Sequence, residues 1–142
     1  NPLPPIPEIG IKKFDLIYAF SVFSHLSEEY FNSWMFYLLS LLDEQGTIIF
    51  TTRGMHFINY IEKNEINKNI FKNYEDIKIK YNSGQFQFFG HKRSDELDGS
   101  WYGEAFIPFP YLEEKYRAYK PRLINDIHGV DQTVFALTKK KY

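Results

Sequence analysis

Two short runs constrain this chain more than anything else in it. "FDLIYAF", Phe14 to Phe20, and "TIIFTT", Thr47 to Thr52, carry apolar residues without alternation. A strand with one wet face alternates, so an unbroken run of this length reads as a strand buried on both faces. Between them lies a helix pattern. Ser27 suits an N-cap, and Glu28 and Glu29 follow in the first turn, where the helix dipole favours negative charge. Phe31, Trp34, Met35, Leu38, Leu39 and Leu42 recur at spacings of three and four and draw one stripe facing a core. Gly46 stands where a left-handed C-cap is expected. Strand, helix and strand within this distance predict a βαβ unit. Its strands are parallel and internal, joined by a right-handed crossover.

The flanks read differently. Four prolines in the first seven residues exclude a helix interior or a central strand, so 1–13 reads as an extended connector. Past Gly54, Met55 to Lys63 and Glu65 to Tyr74 are expected to be helical. "IKIKYNSGQFQFFG" alternates about "NSG" and predicts a half-exposed hairpin. "HKRSDELDGSWYG" is a polar loop closing on aromatics. "PYLEEKYRAY" opens on Pro110 and places acidic residues early and basic ones late, as a short helix does. "RLINDI" and "QTVFALTK" predict a closing antiparallel hairpin within 122–142.

Composition excludes several classes of function. With 142 residues, 44% of them apolar, one domain with a core is expected, not disorder. The formal net charge of −1 gives no long-range attraction to nucleic acid or anionic lipid. No apolar run approaches the ~20 residues of a membrane span. With no cysteine, disulfides and thiolate-bound zinc are excluded, and a cytoplasmic setting is the expectation. His25, His56, His91 and His128 show no HxxxH or HExxH spacing, so no metal site is expected.

"FDLIYAFSVFSHLSEEYFNSW" followed by "LLSLLDEQGTIIFTTRG" resembles the middle of class I S-adenosylmethionine-dependent methyltransferases. In that family a strand like "FDLIxxxSVxxHL" precedes a helix, an "L-x-P-G-G" turn and a strand like "LLLTT". Here Gln45 stands where the family usually has the first glycine of the turn. The likeness extends over 2–54. It returns in "IHGVDQTVFALTKK" and is weak between Met55 and Pro121. The resemblance implies a Rossmann-like α/β fold, represented in part. Phe14–Phe20 would be the fourth of seven strands, Thr47–Thr52 the fifth, and the final hairpin the sixth and seventh. The βαβ core would occupy 14–54 and a variable acceptor-side region 55–121. The family's glycine-rich loop and ribose-binding acid lie before this stretch, and no GxGxG occurs here. The chain is therefore expected to be the C-terminal half of a methyltransferase domain.

What the resemblance implies about activity is methyl transfer from S-adenosylmethionine to an O or N atom of a small molecule or glycan. Phe20, Ser21 and Val22 would border the cofactor. The rival expectation is a non-catalytic methyltransferase-like module that binds a protein partner. With three strands missing, the first strand would expose an edge, which favours homodimerisation, pairing with an N-terminal half, or aggregation.

Several residues fall at the carboxyl edge of the predicted sheet, where open α/β folds bind ligands. His25 has the chemistry of a general base toward a hydroxyl, and its alternative is a helix anchor. Arg53 and His56 follow the second strand. Arg53 suits an acidic substrate group, or pairing with a nearby carboxylate. Trp101 and Tyr102, with Phe106 about Gly103, suit stacking on a sugar or aromatic acceptor, or a satellite core. Phe23 suits either adenine or core packing. His128, Asp131 and Gln132 could touch substrate or fix a turn by local hydrogen bonds.

Overall fold

The computed structural model describes residues 3–92, 94, 97–127 and 132–139. They form a mixed α/β domain: one six-stranded sheet, four α-helices and short 3-10 turns. The strands are β1 (Phe14–Ala19), β2 (Leu42–Arg53), β3 (Gln87–Gly90), β4 (Gly103–Phe106), β5 (Arg122–Ile127) and β6 (Gln132–Thr138). The helices are α1 (Glu28–Ser40), α2 (Met55–Lys63), α3 (Tyr74–Asn82) and α4 (Phe109–Lys115).

The expected βαβ unit is present. β1 and β2 are parallel, with Ile17 level with Ile48 and Ala19 with Phe50. On its other side β2 pairs antiparallel with β6, which pairs antiparallel with β5. The closing hairpin is thus also present. β4 follows β1 on the same side of β2 and pairs with it in the ladder at Arg53 alone. β1 therefore leaves the sheet at Ala19, and β4 takes the place beside β2 further along.

Successive residues of a strand point to opposite faces, so the sheet carries one core on each side. On one side Ile48, Phe50, Phe135, Leu137, Ala105 and Ile107 pack with Phe31, Met35 and Leu39 of α1 and with Leu112 of α4. Burying side chains of this size contributes about 1.5–3 kcal/mol each. On the other side Phe106, which alternates with Ala105 and Ile107, packs with Ile58 and Ile61 of α2 and Ile77 of α3.

That second core does not reach β1. Leu16, Tyr18 and Phe20 are 55%, 78% and 55% exposed, and Ile49 of β2 lies beside Tyr18 at 36%. The expectation of a first strand buried on both faces is corrected. Ile17 and Ala19 pack on the core, but no described helix covers the alternate residues. Among the described strands β1 pairs with β2 alone and so lies at an edge, whereas β2 is internal as its sequence implies.

Other expectations are corrected by local chemistry. Gly46 is not a helix cap. α1 ends at Ser40, and β2 already runs from Leu42, bulging against β1 between Leu42 and Thr47. A Cβ on Gly46 would lie 2.7 Å from the Phe14 carbonyl oxygen, so close backbone approach explains this glycine. Ser27 holds the N-cap position of α1 without a side-chain cap hydrogen bond. The connector contains a 3-10 turn at Pro7–Ile9, and Ile6 bonds both ways with the Tyr37 hydroxyl.

Met55–Lys63 is helical as expected, but 65–73 is not. Glu65 and Asn67 adopt φ values of 51°, which break the helical path. The stretch read as the first hairpin strand, Ile77 to Asn82, belongs to α3. The Asn73 side chain caps it by accepting from the Asp76 N–H at 3.1 Å. Lys78 bridges Glu62 and Glu75, and Lys80 bridges Asp76. β3 then pairs with β4, which lies beyond the polar loop.

Candidate functional site

β1 ends where the sheet opens, and the chain turns there through Ser21. Ser21 has a φ of 55°, a left-handed conformation that costs a non-glycine residue of order 1 kcal/mol. Its N–H donates to Thr51 Oγ1 at 2.8 Å, tying the exit of β1 to the buried wall of β2. Two residues on, a 3-10 turn at Phe23–His25 buries Phe23 against Phe31 and Phe50 and delivers His25 to the start of β4.

The His25 ring is held on three sides. Its Nδ1–H donates to the Gly103 carbonyl at 2.9 Å, and a Glu104 carboxylate oxygen lies 3.7 Å from the same nitrogen. Tyr102 stacks on the ring at 5.4 Å with planes 12° apart. A carbonyl oxygen can only accept, so in the neutral ring Nδ1 carries the proton and Nε2 keeps its lone pair.

Behind His25 stands a chain of polar partners. Arg53 Nε donates to Glu104 at 3.1 Å, and its guanidinium lies 4.0 Å above the Phe57 ring. Gln132, opposite Arg53 in the ladder, completes it. With its amide oxygen toward Arg53 Nη1 at 3.1 Å, its nitrogen donates to Thr51 Oγ1 at 3.0 Å and to the Thr52 carbonyl. The Arg53 and Glu104 side chains are 16% and 13% exposed, dry enough for the pair to be stronger than a surface salt bridge.

Beside this chain, on the uncovered face, lies a hollow of about 220 Å³ lined by Tyr18, Ala19, Phe20, Ile49, Phe50, Thr51 and Val134. Its walls are apolar and partly aromatic, a surface suited to one flat ring, and they do not fit the whole of S-adenosylmethionine. Phe20 offers a half-exposed ring for stacking. None of these lining residues is charged, so the ribose hydroxyls and the amino-acid end find no ionic partner in the hollow. Its volume also falls below the ~300–1,000 Å³ usual for ligand sites.

The structure brings together His25, Arg53 and Tyr102 of the residues singled out from sequence, with Ser21 and Phe20 nearby. Gln132 joins them, as a partner of Arg53. Val22 is 47% exposed and does not line the hollow. Trp101 and Tyr102 meet edge to face at 5.8 Å, but their other partners differ. Trp101 stacks on Tyr30 of α1 at 5.5 Å, and its carbonyl accepts from the Ser27 N–H. Phe106 and Phe23 are core residues. His56 lines a different cavity with Thr133 and Phe135, which alternate with Gln132 and so face the other side of the sheet. His128 and Asp131 lie outside the described residues. Sequence reasoning missed Glu104 and Phe57. Glu104 sat in the aromatic "WYGEAF", where only the β4 ladder reveals a strand aiming at His25 and Arg53.

Among the described residues no group of three or more His, Asp or Glu side chains is placed to hold a metal, and no helix is long and apolar enough to cross a membrane. Compared with protein-family models, curated proteins and solved structures, the chain matches none.

Proposed function

We propose that this chain carries part of a Rossmann-like, class I methyltransferase domain, acting on an O or N atom of a small molecule or glycan. The observation that supports the reading best is the chain His25–Glu104–Arg53–Gln132, set at the carboxyl ends of β1 and β2 beside the strained Ser21. Ligands of open α/β sheets bind at that edge. The parallel β1–β2 pair and the antiparallel β5–β6 hairpin also match what the resemblance implies for the fourth to seventh strands.

S-adenosylmethionine, when bound, supplies an electrophilic methyl group. The chain's own residues supply position and a base. Phe20 would stack on adenine, and Ser21 holds the backbone against that site. His25 would take the acceptor's proton at Nε2, while Gly103 and Glu104 hold Nδ1. Arg53 keeps the Glu104 carboxylate in place, and Tyr102 fixes the ring plane. The ribose contacts would come from elements outside these residues.

Calorimetric titration of S-adenosylhomocysteine into the chain tests the reading. Saturable heat that Phe20→Ala weakens about fivefold, the worth of one ring contact near 1 kcal/mol, is the expected result. Absence of any heat refutes binding by this chain.

The uncovered apolar face favours a second reading, a non-catalytic methyltransferase-like module that binds a protein partner. Leu16, Tyr18 and Phe20 form such a patch along the open edge of β1. Sedimentation velocity decides for this chain: self-association abolished by Tyr18→Lys supports the patch as an interface between copies, and a monomer at high concentration counts against it.

A further inference from the structure

The cavity that His56 lines has no part in the site above. It measures about 330 Å³, within the range of small-molecule sites. Its floor is buried and apolar. Phe135, which is buried, and Phe109, which is half-buried, stack there with parallel rings whose centroids are 6.0 Å apart, so Phe109 supplies the accessible aromatic surface. Its rim is exposed and comes from three separate elements: His56 of α2, Asn82 at the end of α3, and Leu123 of β5. Convergence of three elements around a ring-floored cavity is how a protein builds a pocket for a small ligand.

The lining also selects the ligand's charge. None of the ten lining residues is Asp, Glu, Lys or Arg. An ionised group placed on that floor would lose its hydration without a full charge to pair with. A neutral ring would bury a face against Phe109 and lose little. Asn82, with an amide that both donates and accepts, sits at the rim where a hydroxyl on that ring would emerge.

We propose that this cavity is a second binding site, for a neutral planar aromatic compound bearing a hydroxyl group. It stands on the face of the sheet away from Arg53 and Gln132, so its occupation does not depend on methyl transfer.

The test is a series of amide-resolved NMR titrations with 4-methylphenol, benzoate and cyclohexanol at about pH 8, where 4-methylphenol is largely neutral. Expected are saturable shifts with 4-methylphenol centred on Met55, His56, Asn82 and Leu123, at a dissociation constant of about 1 mM or tighter. Benzoate and cyclohexanol should each bind at least ~10-fold more weakly, for lack of neutrality and of planarity. Leu123 is half-exposed, so Leu123→Trp should fold, cover the mouth and abolish the shifts. Asn82→Ala, also at an exposed position, should weaken binding about 3- to 10-fold, the worth of one hydrogen bond. No saturable shifts, equal binding of benzoate or cyclohexanol, or unchanged binding in both variants overturns the assignment.

Discussion

Asn32 joins α1 to α4 through two tyrosines, and its removal should show how unequal the two ends of a buried hydrogen bond are. Tyr116 is 1% exposed, and its hydroxyl donates to Asn32 Oδ1 at 2.5 Å. Asn32 Nδ2 donates to the Tyr111 hydroxyl at 3.0 Å, and that hydroxyl donates to Glu28 at 2.7 Å. Asn32→Ala leaves the Tyr116 hydroxyl buried with its partner gone, a cost of about 1–3 kcal/mol. Alanine's better helix propensity returns about 0.5 kcal/mol. The net loss should be near 1.5 kcal/mol, or roughly 3–5 °C in Tm for a chain of this size. Tyr116→Phe alone should cost less, about 0.5–1 kcal/mol, because the Tyr111 hydroxyl can turn its one proton from Glu28 to Asn32 Oδ1, 3.2 Å away, while the half-exposed Glu28 keeps water and Lys115. In the double variant no orphaned Tyr116 hydroxyl remains. Its loss should fall short of the sum by about 1 kcal/mol. Urea unfolding followed by circular dichroism measures all three. Strict additivity, or a Tyr116→Phe loss larger than that of Asn32→Ala, would refute the reasoning.

Four further outcomes are expected. Both tyrosine hydroxyls are pushed above their ordinary value of 10, chiefly by burial. The unfolded chain therefore ionises these tyrosines first, and the two should add no pH dependence to stability below pH ~10. Above it, stability should fall by up to about 1.4 kcal/mol per pH unit for each tyrosine, a slope that Tyr116→Phe should reduce in urea midpoints measured against pH. A Cβ on Gly54 would overlap the Thr133 hydroxyl oxygen. Gly54→Ala should thus cost about 1–3 kcal/mol, and Thr133→Ala in the same chain should recover part of it, as thermal melts would reveal. Arg53→Met should destabilise by about 2 kcal/mol by stranding Glu104, and Glu104→Gln in that background should restore part of the loss. In a full methyltransferase assay His25→Ala should lower kcat about 10²- to 10⁴-fold; an unchanged rate would remove His25 from the chemistry.

Much of the fold was legible because its signals are local and agree with one another. The apolar runs of β1 and β2, the stripe of α1, the proline-led α4 and the closing hairpin each announce themselves within about fifteen residues. Where two local signals compete, the sequence misleads. Ile77, Ile79 and Tyr81 alternate like a strand, yet Ile79 is exposed, and the Asn73 cap with its lysine bridges makes the segment α3. The β3–β4 pairing could not be read, because its strands are four residues each and separated by a polar loop. Of the site, His25 and Arg53 were legible from their place after the two parallel strands. Glu104, which binds them to each other, was not, since nothing in "WYGEAF" says which neighbour a short strand will meet.

The sequence by itself determined the order of the central elements and which residue types stand where β1 and β2 end. Backbone periodicity and capping are properties of neighbours in the chain, and neighbours suffice to express them. Only the tertiary structure decided that one face of β1 stands uncovered and that Glu104 bridges His25 and Arg53. It also decided that His56 and Arg53, three residues apart, serve opposite sides of the sheet. Those facts depend on which strand lies beside which and on the pleat that turns successive side chains to opposite faces, and no short stretch of this chain encodes both.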